Sequence, residues 1–160
     1  MKQKKISSTV SIFEQLDELP QAIQELFKRS VEARENAYVP YSHYSVGAAI
    51  RMASGKIVTG SNQENAAYPS GLCAERTAIF YAGANFPGEK IESIAITAKS
   101  SEKTIKTPTP PCGACRQAIA EYEFKQQQPI AIYFRGEIGQ IFKVDSLLDI
   151  LPLAFNNSFM

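Results

Sequence analysis

Residues 70–80 of the protein read SGLCAERTAIF, and they place a cysteine and a glutamate two positions apart where the chain is predicted to enter a helix. The apolar residues that follow recur at helical spacing, which predicts a largely buried helix beginning at Cys73. Gly83 is expected to end this helix, because glycine tolerates the positive φ angle that closes many helices. The protein has only three cysteines, so a thiol beside a carboxylate at a helix start calls for a chemical explanation.

Strands and helices alternate on both sides of this stretch. The predicted elements are a helix over 20–37, a hairpin of strands 44–52 and 56–60, a strand over 91–98, a helix over 112–124, strands over 130–134 and 139–144, and a short helix over 145–151 capped by Asp145. Strands that alternate with helices after an opening hairpin predict an α/β fold with a mixed sheet of about five strands.

Length and composition limit the possible functions. The chain has 160 residues, 44% of them hydrophobic and 21% charged, which is ordinary for one globular domain. We expect that domain over residues 20–160, preceded by an N-terminal extension over residues 1–19. A net charge of +1 argues against a nucleic-acid partner and favours a small, roughly neutral ligand. No apolar run has the length of a signal peptide or a bilayer span, so we expect a cytoplasmic protein with no membrane contact.

The cysteine spacing suggests a metal site. Cys112 and Cys115 form a C-x-x-C pair at a predicted helix start, and Cys73 offers a third sulfur at another. Helix N-termini favour thiolate over thiol, as zinc ligands require. A redox pair, a structural zinc cluster and unrelated core thiols remain alternatives. A structural site usually needs a fourth protein ligand, and the sole histidine, His43, is expected to face solvent.

Glu75 has two possible roles in this setting. A zinc ion with three protein ligands leaves a position for water, and a neighbouring carboxylate can accept a proton from that water. Glutamate is also favoured in the first turn of any helix by the helix dipole, where it serves only as a surface residue. Position alone does not separate these roles.

Three motifs carry a family resemblance. NQENAAY at 62–68, CAER at 73–76 and PCGACRQ at 111–117 occur in this order, and the chain from about residue 33 to LPLAF at 151–155 resembles the cytidine deaminase family. The similarity is to its short-chain, three-cysteine, homotetrameric type. The resemblance implies a three-layer α/β/α sandwich and a zinc-dependent hydrolase acting on cyclic amidines.

The resemblance also implies roles for individual residues. It makes Zn²⁺ the cofactor, Cys73, Cys112 and Cys115 its ligands and Glu75 the proton shuttle. Two arginines close to the ligands in sequence, Arg76 and Arg116, are expected to donate hydrogen bonds to the thiolates. The implied substrate contacts are Asn62 and Glu64 at the ribose, Tyr44 beside the pyrimidine and the Ala74 N–H at the ring carbonyl. Phe155 is implied to contribute to the active site of a neighbouring subunit, and Tyr68 lies in the same shared region.

The implied reaction is hydrolytic deamination of cytidine or deoxycytidine to uridine or deoxyuridine in pyrimidine salvage. A homotetramer with shared active sites and a small-molecule nucleoside substrate follow from the same resemblance. Two alternatives stay open at this point. One is a related zinc deaminase that acts on another cytosine-like nucleoside, such as blasticidin S, and the other is a non-catalytic binding module with structural zinc.

Overall fold

The apolar strands predicted from the sequence join in one mixed sheet, and the computed structural model describes all of residues 1–160. The strands are β1 (Ser11–Phe13), β2 (Tyr44–Met52), β3 (Ile57–Ser61), β4 (Ile91–Ser100), β5 (Ala131–Arg135) and β6 (Ile141–Val144), and the α-helices are α1 (Gln21–Arg34), α2 (Ala74–Asn85) and α3 (Gly113–Gln126). The strand order is β1-β6-β5-β4-β2-β3, in which β4 and β5 are parallel and every other pair is antiparallel.

Helices cover both faces of this sheet. The apolar side of α1 packs through Leu26 and Phe27 against one face, where Ala49, Ala95 and Tyr133 complete a small core. The larger core lies on the other face, between the sheet and the helices α2 and α3. The expected three-layer α/β/α sandwich is therefore confirmed. None of the three α-helices has both the length and the apolar run that a bilayer crossing requires.

The sheet has six strands, one more than the sequence predicted. The additional strand, β1, lies within residues 1–19 and pairs antiparallel with β6. Phe13 and Leu16 then pack against the core on the α1 face, and Leu19 is buried there. A strand of three residues is too short to show the alternating pattern by which strands are recognised in a sequence.

Helix α2 continues through Gly83, so the predicted helix end at this residue is wrong. A Cβ atom at Gly83 would overlap the hydroxyl oxygen of Tyr122, which belongs to α3. The glycine therefore makes room for an aromatic ring from a neighbouring helix. Its role is close packing and does not involve a left-handed backbone.

The predicted C-terminal helix shrinks to a single 3₁₀ turn over Leu147–Asp149. Its N-cap is Ser146, whose side chain accepts a hydrogen bond from the Leu148 N–H, and so the prediction of Asp145 as the cap was off by one residue. Asp145 forms an ion pair with Lys143 instead.

Gly60 controls how closely α2 approaches the sheet. A Cβ atom at this position in β3 would lie 2.6 Å from the backbone nitrogen of Ala78 and 2.7 Å from the carbonyl oxygen of Ala74. Any side chain larger than hydrogen would therefore push the first turns of α2 away from β3. The helix start that carries the CAER motif is held against the sheet by this contact.

A buried carboxylate, Glu123 of α3, holds the chain on either side of β5 and β6. Its Oε2 atom accepts hydrogen bonds from the Ile130 N–H at 2.8 Å and the Leu147 N–H at 3.0 Å, and its Oε1 accepts one from the Ser146 hydroxyl. Removing the carboxylate leaves these buried donors without partners.

We therefore expect Glu123→Ala to lower the free energy of unfolding by about 2–5 kcal/mol, the cost of orphaning two buried N–H groups and losing a charged acceptor. Urea denaturation followed by far-UV circular dichroism measures this change. Glu121→Ala, which removes an exposed carboxylate two positions earlier in the same helix, is the matched control. Equal denaturation midpoints for the two variants would contradict the role given to Glu123.

Candidate active site

The N-termini of α2 and α3 bring the three cysteines together. Cys73 and Cys112 are the residues immediately before the two helices, and Cys115 lies in the first turn of α3. The sulfur of Cys112 lies 3.7 Å from that of Cys73 and 3.5 Å from that of Cys115, and all three sulfurs are within 4.8 Å of one another. Zinc at about 2.3 Å from each thiolate sets tetrahedral S–S separations of about 3.8 Å, so the cluster fits this ion.

Arg76 supplies positive charge to this cluster. Its Nη2 atom lies 3.8 Å from the Cys73 sulfur, and its Nε is buried without a hydrogen-bond partner. A hydrogen bond from the neighbouring Cys115 thiol and, to a smaller extent, the Arg76 guanidinium lower the pKa of Cys73 to about 5. The interaction with Cys73, together with burial, raises the pKa of Cys115. The surroundings therefore favour the thiolate form of Cys73 over that of Cys115.

Glu75 is buried, with only 5% of its surface exposed. Burial raises the pKa of its carboxyl group to about 7, and the negative charge of Cys73 acts in the same direction. A surface glutamate that merely serves the helix dipole would lie in solvent. The Glu75 carboxyl instead lines a cavity beside Cys73 and Cys112.

That cavity has a volume of about 700 Å³, within the range of small-molecule sites. Its walls come from the start of β2, the residues after β3, the loop before α2, the first turn of α2 and the segment before Cys112. Three of the predicted substrate-contact residues, Tyr44, Asn62 and Glu64, line it together with Glu75 and the two cysteines. Ala74 is buried as the first residue of α2, where its N–H has no intrahelical acceptor.

Asn62 and Glu64 both hydrogen-bond to the backbone of other residues that line the cavity. The Asn62 side chain accepts from the Val46 N–H at 2.8 Å and donates to the Tyr44 carbonyl at 2.9 Å. The Glu64 carboxylate accepts from the Tyr41 N–H at 2.9 Å, and hydrogen bonding from Ser42 lowers its pKa. Each side chain keeps unused polar capacity, because an amide and a carboxylate have more sites than these contacts occupy.

Sequence reasoning missed Thr109, whose hydroxyl lies 3.0 Å from the Tyr44 hydroxyl on the cavity wall. Nothing in the residue type marks a threonine in a polar loop as part of a site. The one indication was its position three residues before Cys112.

Contrary to expectation, Arg116 does not contact a cysteine sulfur. Its Nε donates to the Pro111 carbonyl and its Nη1 to the Ile150 carbonyl, each at 2.8 Å. These bonds connect the start of α3 to the C-terminal segment. The expected solvent exposure of His43 is confirmed.

Phe155 and Tyr68 lie outside the protein's core. Phe155 is 58% exposed and stacks on Phe159 with ring centroids 5.6 Å apart, while Gln117 holds its carbonyl. Tyr68 is 75% exposed and contacts the ring of Tyr41, which lines the cavity. Phe155 is not among the residues that line the cavity of its own chain.

Residues 20–128 match the family model described as the cytidine and deoxycytidylate deaminase zinc-binding region. The chain belongs to the cytidine deaminase family. The cytidine deaminase of Halalkalibacterium halodurans is 41% identical over 82% of this chain and 92% of its own, and that of Sporosarcina psychrophila is 37% identical over 84% and 91%. A crystal structure of cytidine deaminase from Burkholderia pseudomallei superimposes with a TM-score of 0.71 at 38% identity, covering 82% of this chain and 97% of that one.

Membership in the cytidine deaminase family confirms the zinc interpretation of the three cysteines. The matched zinc-binding region contains Cys73, Cys112 and Cys115, and their sulfurs have the separations that a zinc ion sets. The protein is thus a zinc-dependent deaminase.

Proposed function

We propose that the protein hydrolyses cytidine or deoxycytidine to uridine or deoxyuridine and ammonia, with Glu75 as the proton shuttle. The observation that carries this proposal is a buried carboxyl group next to a three-sulfur zinc site on the wall of a nucleoside-sized cavity. Cys73, Cys112 and Cys115 would hold a zinc ion, which would supply Lewis acidity and lower the pKa of a water molecule to about 7.

The residues of the chain then have distinct tasks. Glu75 removes a proton from the attacking water and delivers protons to N3 of the pyrimidine and to the leaving amine. Its pKa near 7 suits both directions of transfer at neutral pH. Tyr44 flanks the pyrimidine, and the Ala74 N–H donates to the ring carbonyl. Asn62 and Glu64 hold the ribose hydroxyls with the polar capacity that their backbone contacts leave free.

We assign Arg76 the role of withdrawing negative charge from the zinc-binding thiolates. Its guanidinium lies beside the Cys73 sulfur, where it would withdraw negative charge from the three thiolates that would hold a zinc ion. Arg116 acts on the site indirectly. It donates a hydrogen bond to the carbonyl of Pro111, the residue before Cys112, and does not contact a sulfur.

The wider setting is proposed on the same basis. We place the reaction in pyrimidine salvage in the cytoplasm, and we assign a homotetramer in which Phe155 reaches a neighbouring active site. The exposed aromatic residues around the cavity and the C-terminus, which include Tyr41, Tyr68 and Phe155, support a subunit contact there.

Turnover of cytidine, followed by the change in ultraviolet absorbance, tests the proposal. We expect kcat/KM for cytidine to exceed that for cytidine monophosphate by about 10-fold or more, because the Glu64 carboxylate repels a phosphate. Arg76 is the only cationic residue that lines the cavity, and its guanidinium faces a sulfur. Equal values for the two substrates would contradict the assigned ribose site. Turnover of another cytosine-like nucleoside alone would favour the alternative deaminase, and no turnover by zinc-loaded protein would favour a binding module.

A further inference from the structure

The segment that delivers Cys112 to the zinc site is weakly attached to the rest of the protein. Residues 101–111 connect β4 to Cys112 and contain prolines at 108, 110 and 111, which have no N–H to donate. No backbone group of residues 106–110 forms a backbone hydrogen bond. The backbone of these residues is therefore not held by hydrogen bonds to other backbone groups.

Residues 106–110 are anchored on both sides. The Ile105 carbonyl accepts from the N–H groups of Glu137 at 2.8 Å and Ile138 at 3.3 Å. The Pro111 carbonyl accepts from Arg116 at 2.8 Å. Between these anchors, residues 106–110 make a single hydrogen bond, between the Thr109 hydroxyl and the Tyr44 hydroxyl, whose oxygens lie 3.0 Å apart. We call this contact the hydroxyl bridge.

Tyr44 is a firm partner for such a contact. As the first residue of β2 it pairs with Ser100 of β4, its N–H donates to the Ser42 hydroxyl and its carbonyl accepts from Asn62. The ring is therefore attached to a strand end that is held from three sides. Because its hydroxyl crosses to Thr109, the bridge connects the rigid sheet to the segment three residues before a zinc ligand.

We propose that the hydroxyl bridge positions the segment before Cys112, and that Tyr44 and Thr109 thereby act as a pair of positioning residues for the zinc site and the adjoining cavity wall. Tyr44 has a second role beyond flanking the substrate, and this role resides in its hydroxyl group alone. The effect on zinc is independent of the reaction, whereas the effect on substrate affinity rests on the proposed function.

Isosteric variants isolate the hydroxyl groups. Tyr44→Phe removes one side of the bridge and keeps the ring, and Thr109→Val removes the other side and keeps the shape. Thr109→Ser retains the hydroxyl and serves as the matched control. The rate of zinc release from the purified holoenzyme into excess chromogenic chelator is measured for each variant, followed by kcat and KM for cytidine.

We expect Tyr44→Phe and Thr109→Val each to release zinc about 3- to 10-fold faster than the wild type, the factor that corresponds to one net hydrogen bond. Thr109→Ser should release zinc at close to the wild-type rate. The double variant should be no faster than either single variant, because both substitutions break the same bond. With cytidine as substrate, the loss should appear mainly in KM, since Glu75 is unchanged.

Two results would overturn the proposal. One is zinc release within twofold of the wild type in both single variants, and the other is a double variant whose acceleration equals the product of the two single effects. Because zinc release requires no substrate, these results are distinguishable from a failure of the proposed reaction, which would show as normal zinc behaviour without turnover of cytidine by the wild type.

Discussion

Glu75→Gln is expected to reduce kcat for cytidine by about 10²–10⁴-fold, the contribution of a positioned general acid–base group. Glutamine keeps nearly the same shape and can hydrogen-bond, but it cannot take a proton from water and pass it to N3. The three sulfurs hold the metal without help from Glu75, so about one zinc per chain should remain bound. Because the assigned ring and ribose contacts come from other residues, KM should change far less than kcat.

Steady-state kinetics on zinc-loaded protein, with metal content measured on the same samples, is the appropriate experiment. Glu121→Gln is the matched control, because it makes the same chemical change at an exposed site in α3 and should leave kcat unchanged. A Glu75→Gln enzyme that retains zinc and more than about a tenth of wild-type kcat, against the expected loss, would remove Glu75 from the mechanism.

Cys115→Ser is expected to weaken zinc binding by on the order of 10²-fold. The binding free energy of a structural zinc site is roughly 10–16 kcal/mol shared among four ligands, and the loss of one ligand's share corresponds to about this factor in affinity. Cys115 is fully buried in the first turn of α3, so no other side chain can take its place at the metal. A serine hydroxyl at this position stays protonated at neutral pH and is a poor ligand. Turnover should fall with the metal content.

Titration with a competing chelator measures this affinity, and Ala114→Ser is the control. Ala114 is the exposed neighbour of Cys115 in the same helical turn, so its substitution adds the same hydroxyl outside the sulfur cluster. Added zinc should restore part of the activity of Cys115→Ser, whereas Glu75→Gln should not respond to it. Wild-type zinc affinity in Cys115→Ser would exclude this residue from the ligand set.

The cysteine cluster was predictable in part because its rules are local. A C-x-x-C pair at a helix start places two sulfurs within reach of one ion, since three residues make nearly one turn. Cys73 is 39 residues before Cys112, so its place as a third ligand was one of several alternatives until the family resemblance was recognised. The layers of the fold were predictable for the same reason, because strands and helices alternate visibly in the sequence.

Two of the predictions that failed depend on distant partners. Glycine is common at helix ends, but Gly83 lies within a helix because a Tyr122 ring from another helix leaves no room for a side chain there. Arg116 is next to a zinc ligand in sequence, yet one of its acceptors is the Ile150 carbonyl, 34 residues away. Residue type and spacing carry no information on such contacts.

The short strand β1 has a consequence for how copies of the protein meet one another. Without it, the whole outer side of the four-residue strand β6 would present unpaired N–H and C=O groups at a free edge, a template for intermolecular pairing. With it, the exposed edge is three residues long and follows a stretch that contains lysines and serines. We expect residues 11–13 to protect the protein from edge-to-edge aggregation, a benefit that concerns its behaviour at high concentration and not its catalysis.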